Sequence, residues 1–266
     1  MRLLGDGVYF FEVTLLVWTK LQIMTARFKL CTFDVTNTLL KFRIPVGEQY
    51  AKVGRIYGVH RDPQQIGKSF LANWKTMNQN HPNYGQTTEL SSNSWWKELV
   101  RRAFTDDSNK QLTDNELDSI SGHLYDLYKG SECWKVEAGA KSLLKLLKDK
   151  GVMLGVISNF DERLDCVLKS NELHLYFEFI LGSYDVGVAK PNRKIFELAL
   201  GKAPFVDSSE ALHIGDNILL DYLAAKEAGW NALLLQHKDL DKDLLKKVDP
   251  YEIVSNVDQI REYILL

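Results

Sequence analysis

The feature that most constrains the fold is an alternation of short apolar runs with helical patterns in the second half of the chain. Strand-like runs at 152–158, 177–182, 211–215 and 231–235 are separated by segments with apolar residues at helical spacing. Residues 27–33 form an earlier, mostly apolar run. Because strands that alternate with helices form parallel sheets with right-handed crossovers, we predict an α/β fold with a doubly wound, Rossmann-like parallel sheet.

The segment that follows the first predicted strand has a helical pattern instead. Apolar residues recur at helical spacing in four stretches, at 46–58, 65–77, 91–104 and 113–130. Ser91 and Thr113 are expected N-caps, and Glu116, three residues after Thr113, completes a capping box. The pattern therefore predicts a helical insert after the first strand of the sheet.

These patterns divide the chain into two predicted domains. The α/β core comprises residues 27–43 and 135–266, and the helical cap comprises residues 44–134. Residues 1–26 are apolar but too interrupted by charge to span a bilayer, which takes about 20 apolar residues. A secretory signal is one alternative for this segment. The interpretation we favour is an N-terminal extension outside the fold, with translation starting at Met24.

Composition and charge argue against two classes of partner. The formal net charge of −2 and the pI near 6.3 provide no general attraction for nucleic acid or for an acidic membrane surface. The three cysteines lack the spacing of a metal site, so we interpret them as reduced thiols of a cytoplasmic protein. A nuclear or mitochondrial location is left open, as is the oligomeric state.

Polar residues follow the predicted strands at the points where ligands bind in a doubly wound sheet, outside the carboxyl ends of the strands. These residues are Asp34, Ser158, Asn159, Lys190, Asp216 and Asp221. Taken singly, each has a structural explanation as a turn residue, an N-cap or a solvated loop lysine. Together they supply the nucleophile, cation and neutral donors that a phosphoryl group needs, and the carboxylates that Mg²⁺ prefers.

Four motifs resemble those of the haloacid dehalogenase superfamily of aspartate-nucleophile phosphotransferases. The segment "DVTNT" at 34–38 resembles the first motif, and "VISN" at 156–159 resembles the second. Lys190 in "AKPNRKIF" resembles the lysine of the third motif, and "GDNILLD" at 215–221 resembles the fourth. All four occur in family order, and the helical insert matches the family's helical cap between the first and second motifs.

The resemblance implies a role for each matching residue. Asp34 would attack phosphorus and form an aspartyl-phosphate, and Lys190 would neutralise Asp34 and the transferring group. Ser158 and the backbone N–H of Asn159 would hold phosphoryl oxygens. The Thr38 hydroxyl would support the loop that binds these oxygens.

The same resemblance implies a magnesium site and a departure from the family pattern. Mg²⁺ would lie between Asp34, the backbone carbonyl of Thr36 and Asp216, with Asp221 nearby. Most phosphatases of the family carry an aspartate in place of Thr36, which protonates the leaving oxygen and then activates water. Threonine cannot do this near neutral pH, and losing general acid–base help typically costs about 10²–10⁴-fold in rate. Asn37 follows, where the family often has glycine, which suits a positive φ.

Dehalogenation is an alternative, because it uses the same aspartate without a second one. It requires a halide pocket, which is usually built from an arginine and aromatic side chains. The candidates in this region are Arg43, Arg55, Trp74, Trp95 and Trp96. Tryptophans in a small helical cap more often form its core. Because Trp95 and Trp96 are adjacent on a helix, they diverge by about 100°, and one can be buried while the other faces the cleft.

Two further assignments concern residues outside the motifs. Asn83 and Tyr84, on the loop between the two helical pairs, are the cap residues expected to reach the substrate, with loop packing as the alternative. His213 precedes the fourth motif inside a predicted strand, and we interpret it as a core residue that is not a ligand.

The leading hypothesis is a Mg²⁺-dependent hydrolase that acts on a small phosphorylated metabolite through Asp34, slowly because of Thr36. The alternative is a non-catalytic protein that keeps the phosphate and metal site for a regulatory role. Turnover above that of an Asp34→Asn variant discriminates between them.

Overall fold

The computed structural model describes residues 27–88, 90–105, 111–236 and 241–265. The predicted extension at residues 1–26 lies outside the described residues. No helix in the described ranges is both long enough and apolar enough to cross a membrane.

The core is a parallel sheet of six strands, counted over the described part of the chain. The sheet strands are β1 (Leu30–Phe33), β4 (Met153–Ser158), β5 (Phe179–Gly182), β6 (Ala211–Gly215), β7 (Asn231–Leu235) and β8 (Ile253–Val254). Their order across the sheet is β5-β4-β1-β6-β7-β8. A separate antiparallel pair is formed by β2 (Leu40–Phe42) and β3 (Trp134–Val136). β1 and β6 are buried along their whole length, as expected for central strands covered on both faces. The predicted doubly wound α/β fold is confirmed.

Helices cover both faces of this sheet. They are α5 (Ala140–Asp149), α6 (Leu164–Ser170), α7 (Ser183–Val186), α8 (Lys194–Leu200), α9 (Ala224–Glu227), α10 (Lys242–Leu245) and α11 (Val257–Leu265). A π-helical turn, Ile218–Leu223, precedes α9. Along β1, Leu30 packs in one apolar cluster and its neighbour Cys31 in another. Because successive side chains of a strand point to opposite faces, the two clusters form the two layers of the core.

The insert between β2 and β3 contains α1 (Val46–Ile56), α2 (Pro63–Asn80), α3 (Ser92–Ala103) and α4 (Asp114–Leu127). Ser91 caps α3 by accepting a hydrogen bond from the N–H of Ser94 at 3.2 Å. At α4, Thr113 Oγ1 accepts from the N–H of Glu116 at 3.3 Å, and Glu116 Oε2 accepts from the N–H of Thr113 at 2.8 Å. Both predicted N-caps and the capping box are therefore present. The helices bury a small apolar core of their own, centred on Tyr50 and Phe104.

The antiparallel pairing of β2 with β3 brings the two chain crossings between the core and the insert side by side. Leu40 pairs with Val136, and Phe42 pairs with Trp134. The insert thus leaves and re-enters the core at one place, close to the carboxyl end of β1.

Candidate active site

Three neighbouring strands bring the predicted polar residues to one edge of the sheet. β1 lies between β4 and β6, so Asp34 after β1, Ser158 at the end of β4 and Asp216 after β6 meet at the carboxyl ends. Lys190 comes from the segment between α7 and α8, and Asp221 comes from the π-helical turn after β6. All five residues line the same cleft.

Asp34 lies at the centre of this group, with a side chain that is only 11% exposed. Its Oδ1 accepts hydrogen bonds from Ser158 Oγ at 2.9 Å and from Lys190 Nζ at 2.8 Å. Neither of these two hydrogen bonds involves Oδ2, so they leave that oxygen available to react. Burial raises the pKa of Asp34, the Lys190 ammonium opposes this, and the Asp221 carboxylate adds to the increase.

Lys190 is a buried ammonium whose three donors are all used. Its Nζ donates to Asp34 Oδ1 at 2.8 Å, to Asp221 Oδ1 at 2.5 Å and to the carbonyl oxygen of Ile157 at 2.8 Å. Burial alone would lower the pKa of Lys190, but the Asp221 and Asp34 carboxylates outweigh burial and raise it. The lysine is therefore charged and held rigidly between two carboxylates.

Asp221 is supported from several sides. Besides Lys190, His213 Nε2 shares a hydrogen bond with its Oδ1 at 3.2 Å, and the N–H of Asn217 donates to Oδ2 at 2.9 Å. Burial would raise the pKa of Asp221, but Lys190 and His213 hold it well below its usual range. Gly215 is required beside it, because a Cβ there would overlap the Asp221 carboxyl group.

His213 is fully buried in β6, as predicted for a core residue. Its Nδ1 shares a hydrogen bond with Thr32 Oγ1 at 2.8 Å, and its Nε2 faces Asp221. Burial lowers the pKa of His213, which favours the neutral ring. Sequence reasoning missed the contact between His213 and Asp221. The signal for it is the position of His213, two residues before the end of the strand that leads into the fourth motif.

Asp34, Asp216 and Asp221 bring one carboxylate oxygen each within 4.8 Å of one another. Burial raises the pKa of Asp216 to about 7, and the nearby Asp34 and Asp221 carboxylates contribute, while the Asn37 side chain opposes the shift. Lys190 compensates only part of this concentrated negative charge. Oxygen ligands in such a cluster match the preference of a hard divalent cation.

The remaining predicted residues lie in the segments that follow β1 and β4, and among them Thr38 does not line the cleft. The Asn159 side chain donates to the carbonyl oxygen of Lys190 at 2.9 Å and accepts from its N–H at 2.8 Å, which ties the lysine segment to the end of β4. Thr36 is half-buried and lines the cleft. The hydroxyl of Thr38 is buried and has no hydrogen-bond partner within the described part of the chain. Asn37 has a φ of 60°, as its sequence position predicts.

The turn between α2 and α3 docks the cap onto the core. The Tyr84 hydroxyl donates to the carbonyl oxygen of Asn159 at 2.8 Å, and the Asn83 side chain donates to the carbonyl oxygen of Ser183 at 2.8 Å. Both residues line the cleft, and both have a positive φ, at 50° for Asn83 and 57° for Tyr84. Tyr84 thus reaches the core at the loop that follows β4, and Asn83 reaches it directly after β5.

The same loop contains an ion pair that sequence reasoning missed. Asp161 and Arg163 are buried, with Arg163 Nε 2.9 Å from Asp161 Oδ1 and Nη2 2.5 Å from Oδ2. Trp96 of α3 donates its indole N–H to Asp161 Oδ2 at 2.5 Å. The guanidinium lies over the rings of Trp96 and Tyr125, at 4.6 Å and 4.2 Å from their centroids. The signal in the sequence is an acid and a base two residues apart, directly after the second motif.

The cleft between core and cap has a volume of about 810 Å³, within the size range of small-molecule sites. The arginines considered for a halide pocket, Arg43 and Arg55, are exposed and do not line it. Trp95 is fully buried and donates to the carbonyl oxygen of His81 at 3.0 Å, while its neighbour Trp96 faces the cleft. The adjacent tryptophans therefore diverge as helix geometry requires.

Comparison with known proteins agrees with the strand-end motifs. The family profile described as haloacid dehalogenase-like hydrolase matches residues 28–229. The chain belongs to the haloacid dehalogenase-like hydrolases. Within this family, the Rhythmically expressed gene 2 protein of Drosophila melanogaster is 42% identical over 221 residues, covering 80% of this chain and 85% of that protein. Haloacid dehalogenase-like hydrolase domain-containing protein 3 of Danio rerio is 36% identical, covering 86% of this chain and 93% of that protein.

Solved structures of haloacid dehalogenase-like hydrolases share the fold. A magnesium-bound member from Bacillus subtilis has a TM-score of 0.67 at 17% identity, covering 90% of this chain and 100% of that chain. A phosphatase of the family from Thermococcus onnurineus has a TM-score of 0.59 at 21% identity, covering 88% of this chain and 97% of that chain. At these identities the likeness establishes the fold.

Proposed function

We propose that this chain is a magnesium-dependent phosphatase that hydrolyses a small phosphorylated metabolite through an aspartyl-phosphate on Asp34. The observation that carries the proposal is the surroundings of one carboxylate oxygen. Asp34 Oδ1 accepts from Lys190 Nζ at 2.8 Å and Ser158 Oγ at 2.9 Å, beside two further acids. The phosphatases among the family's solved structures support the choice of phosphoryl transfer. The free cysteines support a cytoplasmic location.

The donor set fits Mg²⁺. Asp34, Asp216 and the backbone carbonyl of Thr36 are the groups we assign to the ion, with Asp221 beside them. The crowding that raises the pKa of Asp216 to about 7 is the kind of repulsion that a bound cation relieves. When bound, the ion would supply positive charge to the phosphoryl oxygens. A magnesium-bound relative of the same fold supports this assignment.

In the proposed first step, a carboxylate oxygen of Asp34 bonds to phosphorus while the bond from phosphorus to the leaving oxygen breaks. Ser158 and the backbone N–H of Asn159 donate to the phosphoryl oxygens, and Lys190 offsets their charge. In the second step, water attacks phosphorus and the bond to Asp34 breaks. Inorganic phosphate leaves, a proton passes to solvent, and the carboxylate is restored.

Thr36 limits the rate of both steps. It lines the cleft. By resemblance to the family, its sequence position is the one where an acid would protonate the leaving oxygen and later accept a proton from water. A threonine hydroxyl hardly ionises, so the leaving oxygen takes its proton from solvent. Turnover is therefore slow and favours good leaving groups.

Thr36 also favours a second candidate function. Without a general acid–base, the same pocket serves a non-catalytic protein that binds phosphate and Mg²⁺ in a regulatory role. Both functions require magnesium-dependent phosphate binding, so binding alone does not separate them. Dehalogenation is disfavoured because the arginine that lines the cleft, Arg163, is already paired with Asp161.

The test is a panel of phosphorylated metabolites together with 4-nitrophenyl phosphate, assayed for phosphate release with wild type and Asp34→Asn. We expect release that requires Mg²⁺, is abolished by chelator and falls by a factor on the order of 10³ or more in the variant. Asparagine has the shape of aspartate, so circular dichroism should show an unchanged fold. Wild-type release no greater than that of Asp34→Asn on every compound would refute the phosphatase and leave the binding role.

A further inference from the structure

Six aromatic rings form a continuous series along the wall of the cleft that the cap and its linkers contribute. Successive members have ring centroids 5.4, 5.8, 5.5, 6.3 and 6.2 Å apart. In order, they are Trp96, Trp74, Phe70, Tyr50, Tyr128 and Trp134, and we call them the aromatic arc. All six line the same cleft as Asp34. These spacings are those of rings packed edge to face or offset.

Among the described residues, each cation that lines the cleft is either paired or exposed. Arg163 is paired with Asp161 through two close contacts and is covered by Trp96 and Tyr125. Lys190 is saturated by its partners at the phosphate end. Among the described residues that line the cleft, the other cation is Lys75, which is exposed. A second negative group on the substrate would therefore find no buried cation beside the arc, among the described residues, that is not already paired.

We propose that the aromatic arc selects the leaving group, and that the preferred substrates are monophosphates of uncharged, largely apolar alcohols or phenols about the size of one or two fused rings. This inference rests on the proposed phosphatase function and adds a substrate class to it. Ring faces gain from contact with an apolar leaving group. A carboxylate or a second phosphate against these ring faces would be desolvated without an unpaired buried cation to offset its charge, which is unfavourable.

The test compares phenyl phosphate, 2-naphthyl phosphate and 4-carboxyphenyl phosphate as substrates of the wild-type protein. The carboxylate makes 4-carboxyphenyl phosphate slightly more reactive in water, so the expected order runs against intrinsic reactivity. We expect kcat/KM for 2-naphthyl phosphate to exceed that for 4-carboxyphenyl phosphate by about 30-fold or more, with phenyl phosphate between them. A value for 4-carboxyphenyl phosphate equal to or above that for phenyl phosphate would overturn the inference.

A pair of variants tests whether the arc is responsible. Trp74→Leu removes one ring of the arc but keeps the position apolar, and it should lower the preference for 2-naphthyl phosphate over 4-carboxyphenyl phosphate by about fivefold. The control is Tyr57→Leu, which removes a cap ring that lies outside the cleft and packs edge-on against His123. This control should keep the wild-type preference. Equal preferences in the two variants would contradict the assignment to the arc.

Calorimetry separates failure of the arc from failure of the phosphatase function. We expect Asp34→Asn with Mg²⁺ to bind these compounds while turning them over slower by a factor on the order of 10³ or more, so that calorimetry measures their dissociation constants. Absent wild-type turnover with tighter binding of 2-naphthyl phosphate than of 4-carboxyphenyl phosphate would refute catalysis and support the arc. Turnover without selectivity would support catalysis and refute the arc.

Discussion

The core end and the cap end of the cleft are built from different interactions. At the core end, Asp34, Lys190 and Asp221 are joined by contacts of 2.5 to 2.8 Å between buried charges. At the cap end, six rings contribute apolar surface at centroid distances above 5 Å. Losing one buried charge leaves its partners uncompensated, whereas losing one ring leaves the others in place. Substitutions should therefore have large effects at the core end and graded effects at the cap end.

The largest effect is expected for Lys190→Met, which replaces the ammonium with an uncharged side chain of similar length. Asp34 and Asp221 then remain buried without a counter-ion, and breaking a buried pair in this way typically costs about 3–5 kcal/mol. We expect a loss of that size in the free energy of unfolding, measured by urea denaturation. We also expect kcat to fall by about 10²–10³-fold, because a cation for the phosphoryl oxygens is removed.

The control is Lys145→Met, which breaks the exposed ion pair between Lys145 and Asp149. Because solvent screens exposed pairs, this variant should keep the wild-type denaturation midpoint and activity. If the two lysine variants had equal midpoints, the buried network at the core end would not have the strength assigned to it.

The second prediction concerns Thr36→Asp, which adds a proton-transfer group to the core end alone. We expect kcat for a phosphomonoester to rise by about 10²-fold, at the lower end of what general acid–base catalysis supplies. Release of inorganic phosphate in the presence of Mg²⁺ measures the gain. Thr36→Ser keeps the hydroxyl and should show no gain. Turnover that stays flat in the aspartate variant of an active protein would show that the missing acid is not what limits the rate.

The core end could be predicted from the sequence because its residues follow recognisable strands. Asp34, Ser158 and Asp216 each occur where an apolar run stops, and neighbouring parallel strands must end at the same edge. The fold class follows from the same pattern. The family resemblance also predicts Asp221 near a metal ion, but it does not predict the hydrogen bonds of Asp221 to Lys190 and His213. Periodicity does not specify which side chains meet across a buried layer.

The cap end could be predicted only in outline. Apolar periodicity indicates four helices and their caps, but the rotation of each helix decides which rings line the cleft. Trp95 and Trp96 are equivalent as sequence letters, and only packing separates them. The pairing of Asp161 with Arg163 depends on a loop conformation that no helix or strand period describes. The substrate class therefore depends on side-chain packing that the sequence pattern does not specify.

The third prediction uses the two adjacent tryptophans of α3. Trp95→Phe removes the donor to the carbonyl oxygen of His81 and leaves a small cavity in the cap, so we expect a loss of about 2–3 kcal/mol in the free energy of unfolding. Its KM for 2-naphthyl phosphate should be unchanged. Trp96→Phe reduces the aromatic arc instead, and its KM for that substrate should rise about fivefold. It should also lose stability, because the buried Asp161 carboxylate loses its indole donor.

Urea denaturation and steady-state kinetics on both variants check this division. The opposite pattern, with KM changed by Trp95→Phe and unchanged by Trp96→Phe, would mean that the cleft is lined by the other face of α3. Equal changes in KM in both variants would mean that the cap responds as a whole. The graded behaviour assigned to the cap end would then be wrong.

The smallest effect is expected at Asn37, where the core end depends on backbone shape. Asn37 has a φ of 60°, a conformation that glycine adopts freely and alanine adopts at a cost. Asn37→Gly and Asn37→Ala both remove the amide that faces Asp216, so their magnesium affinities should change equally. The alanine variant alone carries the strain, which the lower entropy of its unfolded chain partly offsets. Its free energy of unfolding should therefore be about 0.5–1 kcal/mol lower than that of the glycine variant. Equal denaturation midpoints would show that the loop relaxes to a negative φ, and a difference in magnesium affinity would show that the strain is transmitted to the carboxylates.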